Sequence, residues 1–423
     1  MNSLNVSIQD TLVGKLFVEK DEYYFEYDRS WKQNGFAISP HIGFKNSASS
    51  KTIKRFLDNL IPEGEHLDDI VSFAHISKNN TFGILNIIGY DTAGALFFGD
   101  KKLDTPYFRE ITQKELISRI EEIESKSIAI WDKKVRLSLA GVQAKLPIMI
   151  NQNKLGLADG TLSSTHIMKF QTKKNSHIVL NEYLCMKLAK DIGLNVADVE
   201  LRRFQNHPTL LIKRFDRILK DNYVQRLHTI DGCQMLDLPP SYKYEQNFGN
   251  QRDVAHIRDG VSFKKLFLSS KECLVPATAK MELLNWAVFN LLIGNSDAHG
   301  KNFSFFINKN GIKPTLFYDL LSVMIYDVDH QTSMAYGDEF DPNQIFAYQL
   351  REFAEDIDIN YKLVKKTILK QTSKILQVLE NQTFDIVINK DEKEFLFSLI
   401  SLISKRAKDF QEIANEMELV SYP

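Results

Sequence analysis

The chain has 423 residues, 43% of them hydrophobic and 25% charged, with 53 Lys and Arg against 54 Asp and Glu for a net charge of -1. At roughly 100–200 residues per domain this is room for several domains of ordinary globular composition. The balanced charge excludes a generally basic nucleic-acid coat. Three cysteines, Cys185, Cys233 and Cys273, stand too far apart for a CxxC pair, so neither a disulfide scaffold nor a cysteine zinc site is indicated. The N-terminus lacks a basic-then-apolar signal pattern. The longest apolar run, LLNWAVFNLLIG, has only 12 residues, so the sequence reads as soluble and cytoplasmic, without a membrane span.

In chain order, LVGKLFV, YYFEYD and FAISPHIGF alternate with period two and predict antiparallel hairpins in the first 50 residues. KTIKRFLDNL and HLDDIVSFAHI are helical, the first stopped by Pro62, and residues 111–128 read as a surface helix. From 135 to 228 the strand patterns VRLSL, KLPIMI, HIMKF, VADVELRRF, TLLIKRF and YVQRLHTI surround one helical pattern, NEYLCMKLAKDIGL. That combination predicts an α+β unit. Beyond 261 helices dominate, notably MELLNWAVFNLLIG and KEFLFSLISLISKRAKDF, with short strands expected at FSFFI and KPTLFYD. The polar stretch 241–253 reads as a mobile loop.

Chemistry concentrates in GNSDAHGKNFSFF, residues 294–306. Asp297 and Asn302 have the D-x-x-x-x-N spacing of a kinase catalytic loop, where the Asp accepts a hydroxyl proton and the Asn holds Mg²⁺. A blander reading has Gly294 ending a helix and Asp297 capping a turn. Asp319, in FYDLLS after a strand-like run, suits the main Mg²⁺ ligand, or equally a helix N-cap before LLSVM. Lys169, in STHIMKF, stands in a predicted strand and either reaches phosphates or faces water. The small residues of VRLSLAGVQAKLPIMI, which include Gly141 before Lys145, would let backbone N–H groups approach phosphate, although no standard phosphate motif is met. His299 suits a structural role in orienting the loop, and no Ser lies in a G-x-S-x-G elbow.

Taken together in order, these segments resemble the HipA family, bacterial serine/threonine kinase toxins of toxin–antitoxin modules. FLDNLIPEG, IGYDTAGALFF, LSLAGVQAKLPIMI, STHIMKF, LLIKRFDR, DGCQMLDLPPSYKYE and IGNSDAHGKNFS are each similar to a family segment. The resemblance implies an α+β, two-lobed protein-kinase-like fold. It would comprise a β-rich N-terminal subdomain (1–132), a kinase N-lobe-like region with glycine loop and hinge (133–235) and an all-helical C-terminal lobe (236–423).

It also implies ATP and Mg²⁺ as cofactors, Asp297 as the catalytic residue, and Asn302 and Asp319 as the metal ligands. Lys169 would contact phosphate. Ala140, Gly141, Val142, Gln143 and Lys145 would cover the nucleotide, with Ile230 and Gly232 at the hinge. His299 and Lys301 complete the nucleotide set, and Ser138 would be an inhibitory autophosphorylation site.

The implied partners are a HipB-like helix-turn-helix antitoxin, DNA chiefly through that antitoxin, and an aminoacyl-tRNA synthetase as substrate, whose modification would arrest translation and growth. A corepressor without catalysis and a small-molecule phosphotransferase are the alternatives. The sequence departs from the family at Ala144, at Phe170-Gln171 after the lysine, and at Ile230 and Gly232. Every charged catalytic position is kept.

Overall fold

The alternation of the first 27 residues folds into an antiparallel meander of β1 (Asn2–Ile8), β2 (Thr11–Glu19) and β3 (Glu22–Tyr27), with Leu4, Val6 and Leu16 buried. β2 and β3 are joined by Lys20 and Asp21, at φ 50° and 65°, the two-residue turn whose twist matches that of the strands. β4 (Leu96–Phe98) completes a sheet of order β3-β2-β1-β4. FAISPHIGF, expected as a strand, is not one. Its backbone is satisfied by side chains instead: Trp31 Nε1 donates to the Phe36 carbonyl (2.8 Å), the Ile38 N–H to the Tyr27 hydroxyl (2.9 Å), and His228 Nε2 to the Ile38 carbonyl (2.8 Å).

The computed structural model describes residues 2–99, 105–136, 143–221, 223–381 and 389–420. Ser138, Ala140, Gly141 and Val142 lie outside the described residues, as does most of VRLSL. Contacts divide the chain into two compact units, one of Met1–Val179, Asp198–Pro240 and Ser304–Thr315, the other of Leu180–Ala197, Ser241–Phe303 and Leu316–Pro423.

The first unit holds all the described strands. Helices α1 (Arg29–Asn34), α2 (Ser50–Asp58), α3 (Glu65–Ala74) and α4 (Thr81–Ile88) follow the meander. β5 (Pro106–Glu110) then precedes α5 (Gln113–Glu121), which Thr112 caps by accepting the Glu115 N–H at 3.2 Å. The helix expected to reach 128 stops at Glu121, and Arg119 ties the returning chain by donating to the Ser127 carbonyl (2.8 Å).

After the β6 (Ile130–Trp131) and β7 (Lys134–Val135) hairpin come β8 (Lys145–Asn151), β9 (Lys154–Gly160), β10 (His166–Phe170), β11 (Val199–Phe204) and β12 (His207–Lys213). With β5 these last five form a six-stranded sheet of order β11-β12-β10-β8-β9-β5. Leu146, Ile148, Met168 and Phe170 pack with Leu116 and Ile120 of α5. The pleat therefore turns Lys145 and Lys169 to the opposite face.

β13 (Arg217–Leu219) pairs with β14 (Val224–Arg226), and β15 (Thr229–Asp231) pairs with β16 (Ser304–Asn308), which pairs with β17 (Gly311–Pro314). The expected all-helical region from 236 thus contains a β-hairpin. That hairpin belongs to the first unit because β16 completes its backbone bonding on β15.

Most of α6 (Ile178–Asp191) lies in the second unit, whereas the short α7 (Gly232–Met235) lies in the first. The second unit continues with α8 (Phe263–Ser269), α9 (Pro276–Ile293), α10 (Ala347–Asp356), α11 (Tyr361–Glu380) and α12 (Lys390–Glu416). Leu284, Trp286, Val288, Phe289 and Leu292 are all buried, so α9 is apolar on every side and forms the axis of the unit. Arg406 of α12 donates to the Leu291 carbonyl through Nε (3.2 Å) and Nη2 (2.7 Å), placing a cation at the C-terminus of α9. No helix begins at LLSVM, so Asp319 is not a helix N-cap. KPTLFYD is strand only as far as Pro314.

Candidate active site

The second unit gathers Asp297, His299, Lys301, Asn302 and Asp319 at the end of α9. Gly294 ends that helix in the left-handed region at φ 69°. Its carbonyl accepts from the backbone N–H groups of Val323 (2.9 Å) and Met324 (3.1 Å), which fastens the loop after Asp319 to the loop before Asp297. Asn290, buried within α9, accepts from Asn295 Nδ2 at 2.7 Å, and the same Nδ2 lies 3.4 Å from the Asp319 carbonyl. Asn181 of α6 grips Ser322 twice, accepting its N–H (2.9 Å) and donating to its carbonyl (2.8 Å).

Between these anchors Asp319 has φ 58°. A non-glycine residue held there costs roughly 1–3 kcal/mol, and such strain clusters where function demands a side-chain direction. Here it aims the carboxylate at Asn302, whose Nδ2 donates to Asp319 Oδ2 at 2.7 Å. Oδ1 of Asn302 is buried and has no hydrogen-bond partner among the described residues.

An amide oxygen and a carboxylate side by side, the first with unused acceptor capacity, are a hard oxygen donor set. They fit Mg²⁺, which takes one or two protein oxygens and completes its shell with water and phosphate. No group of three or more His, Cys, Asp or Glu that could hold a metal occurs among the described residues.

Asp297 is exposed, and its Oδ1 accepts from the Tyr244 hydroxyl at 2.8 Å. Tyr244 packs edge-on to the His299 ring with centroids 5.2 Å apart. The Lys243 carbonyl accepts the Gly300 N–H (2.9 Å), holding the two segments together. Gly260 permits the approach on the other side, since a Cβ there would stand 1.8 Å from the Tyr244 carbonyl oxygen. The stretch expected to be mobile is therefore tethered. Buried Glu245 accepts the Ala335 N–H (2.9 Å) and Arg258 Nε (2.7 Å).

His299 Nδ1 accepts the Lys301 N–H (3.3 Å), so the ring braces the turn that delivers Asn302. Loss of solvent, then Lys243, pulls its imidazole down to about 3, so it is neutral. Lys301 is buried, and its carbonyl accepts the Tyr318 hydroxyl at 2.6 Å.

The first unit carries the other expected residues. Lys145 on β8 and Lys169 on β10 are in register, and both are buried at 6% and 8% exposure. Lys169 is thus not on a wet face. The two ammonium-bearing side chains share one buried face of the sheet. Gln143 donates to the Phe170 carbonyl (3.3 Å), and its own carbonyl accepts from His66 Nε2 (3.0 Å). Ile230 is buried in β15. Gly232 opens α7, which Asp231 caps by accepting the Gln234 N–H (2.9 Å).

Tyr244, Asn290 and His66 escaped the sequence reading. An asparagine inside a fully apolar helix was the available signal for Asn290, and Tyr244 lay within a segment already noted. His66 had none.

Two families of sequence match, the HipA N-terminal domain over residues 4–99 and the HipA-like C-terminal domain over residues 137–380. The serine/threonine-protein kinase toxin HipA of Shewanella oneidensis is 40% identical over 98% of this chain and 97% of its own. In the solved complex of Shewanella oneidensis HipA, HipB and operator DNA, a toxin–antitoxin system, the matching chain has a TM-score of 0.91. It is 40% identical, and the match covers 99% of this chain and 100% of that one. The chain belongs to the HipA family and is a serine/threonine-protein kinase of the toxin–antitoxin type.

Proposed function

We propose that this kinase moves the γ-phosphoryl group of ATP onto a serine or threonine hydroxyl of a protein. Asp297 accepts the hydroxyl proton as the new O–P bond forms and ADP leaves. Tyr244 fixes the direction of that carboxylate. Asn302 and Asp319 hold magnesium, which when bound neutralises charge on the phosphates. Lys169, with Lys145, receives the nucleotide phosphates, and backbone groups at Ile230 and Gly232 receive adenine. His299 and Lys301 shape the turn that presents Asn302. The observation carrying this reading is the 2.7 Å contact of Asn302 with a left-handed Asp319, with Asn302 Oδ1 unclaimed.

Ser138 is the proposed self-modification site. A phosphoserine brings about -1.5 to -2 charges beside an anionic nucleotide and so repels it. An aminoacyl-tRNA synthetase is the proposed substrate, with arrest of translation as the outcome in the cytoplasm. The match to a HipA–HipB–operator assembly supports a second role for the same chain, as the partner of a HipB-like antitoxin that grips the DNA. No helix among the described residues is long and apolar enough to cross a membrane.

The test is intact mass after incubation of the pure chain with ATP and Mg²⁺, beside Asp297→Ala and Ser138→Ala. One phosphate gained by the wild type and by neither variant is expected. A gain that persists in Asp297→Ala would remove Asp297 from the chemistry, and one that persists in Ser138→Ala would move the modification elsewhere.

A further inference from the structure

The first unit contains a cleft of about 410 Å³ that no described residue assigned above to the nucleotide lines. Ile88, Tyr90, Leu157 and Leu162 contribute apolar walls, and the exposed Lys133 and Lys134, from the β6–β7 hairpin, stand at its rim. Beneath lies a buried ionic cluster. Arg214 donates to Asp216 through Nε (2.9 Å) and Nη2 (2.8 Å), and Arg217 donates to Asp216 (2.7 Å) and to Asp91 (3.0 Å). Arg136 is paired with Asp159 at 2.9 Å. A fourth guanidinium, Arg226, stands opposite Arg217 in the β13–β14 register. Four arginines against three aspartates leave one positive charge over.

Arg226 is only 8% exposed, and its Nη1 has no hydrogen-bond partner among the described residues. Two further groups of the cleft are in the same condition, Nε of Arg136 and Oγ of Ser163, the latter residue 2% exposed. All three can donate. A buried donor without an acceptor is destabilising, more so when charged. Burial, then Arg217, pulls the Arg226 guanidinium down to about 10, so it remains charged at neutral pH. Unused donors, an uncompensated positive charge and a basic rim ask for an oxyanion, and the apolar walls leave room for an organic group.

We propose that this cleft is an anion site for a phosphate monoester, with Arg226 as its anchor, Arg136 and Ser163 as further donors, and the apolar wall receiving the ester's organic part. The proposal does not rest on the kinase reading. A monoester on a small molecule and free phosphate share the oxyanion chemistry, and the apolar wall separates them.

The full chain, without ATP or Mg²⁺, is titrated with inorganic phosphate and with phenyl phosphate at constant ionic strength. Calorimetry and thermal unfolding are the readouts. Saturable binding of both is expected, with phenyl phosphate tighter. Arg226→Gln should weaken it about tenfold or more, the loss of one charge-assisted hydrogen bond. Ser163→Ala should weaken it several-fold, and this variant carries the test if Arg226→Gln does not melt cooperatively. Lys169→Met should leave binding in place. The proposal is overturned if the wild type shows no saturable binding of either compound, or if Lys169→Met abolishes binding that Arg226→Gln and Ser163→Ala retain.

Discussion

Asp216→Asn keeps the shape of a buried side chain and removes its charge. The native carboxylate accepts from Arg214 Nε and Nη2 (2.9 and 2.8 Å), from Arg217 Nη1 (2.7 Å) and from the Gly94 N–H (2.8 Å). The variant's amide offers one acceptor oxygen and turns two N–H bonds toward guanidinium groups. Arg214, Arg217 and Arg226 would then share Asp91 alone. Breaking a buried pair in this way costs about 3–5 kcal/mol, against roughly 5–15 kcal/mol for a typical folded domain.

The assay is hydrogen exchange with mass readout on the full chain. Peptides spanning 94–98 and 210–219 should lose protection equivalent to that energy, while peptides of α9, in the second unit, keep theirs. The pH dependence has a definite sign. Burial pushes the Asp216 carboxyl up, but Arg214 and Arg217 outweigh it and hold the group well below the usual carboxylate range. With a folded pKa below the unfolded value of about 3.9, its stabilisation is complete above that pH and shrinks by about 1.4 kcal/mol per unit below it. The gap between wild type and variant should therefore be flat from neutral pH to about pH 5 and narrow under pH 4. A gap smaller than about 1 kcal/mol at neutral pH, equal losses in both units, or a gap that does not narrow in acid would each refute the reasoning.

Two further perturbations probe the turn that carries Asp297 and Asn302. Tyr244→Phe deletes only the hydroxyl that donates to Asp297. Self-phosphorylation should slow about five- to tenfold with KM for ATP unchanged, as expected for about 1–1.5 kcal/mol of lost orientation; a change in KM alone would assign Tyr244 to nucleotide binding. Gly294→Ala places a Cβ at φ 69° and 3.0 Å from Met324 Sδ. It should cost about 1–2 kcal/mol of stability by thermal unfolding. Because the strain is in the backbone, adding Met324→Ala should not restore the loss, and full restoration would trace it to the side-chain contact instead.

Much of the candidate site's turn was legible because its residues are close in sequence. The D-x-x-x-x-N spacing, the glycine after an apolar helix and the Asp following a strand-like run all describe one short stretch, and the structure gathers them at the end of α9. Illegible were features set by distant partners. β15 pairs with β16, so Asp231 meets Ser304, and nothing local to FSFFI says that it leaves a helical region to complete a sheet.

Turn chemistry hid a second class of feature. The β6–β7 and β8–β9 hairpins turn through Asp132-Lys133 and Gln152-Asn153, all at φ between 46° and 65°. Glycine usually marks such turns, and here polar side chains accept the left-handed region without it. The missed β9 follows directly from that.

The family segments themselves divide by physics in a way that resemblance does not reveal. IGYDTAGALFF and LLIKRFDR look as distinctive as IGNSDAHGKNFS, yet their acidic residues are consumed internally. Asp91 and Asp216 meet two arginines and the Gly94 N–H of the first segment, and Arg214 Nη2 donates to the Thr92 carbonyl at 3.0 Å. These contacts bolt the β1–β4 meander's last strand to the sheet that carries Lys145 and Lys169. Asp319 and Asn302 differ from them. Strain at Asp319 and an unclaimed oxygen at Asn302 are retained beside the 2.7 Å contact that joins the two. A motif carboxylate saturated by its own chain holds structure together, whereas a strained one beside an amide oxygen with unused acceptor capacity is poised for something the chain does not contain. By the same criterion Arg226, buried beside Asp91 and Asp216 yet left with an open donor, stands with Asn302.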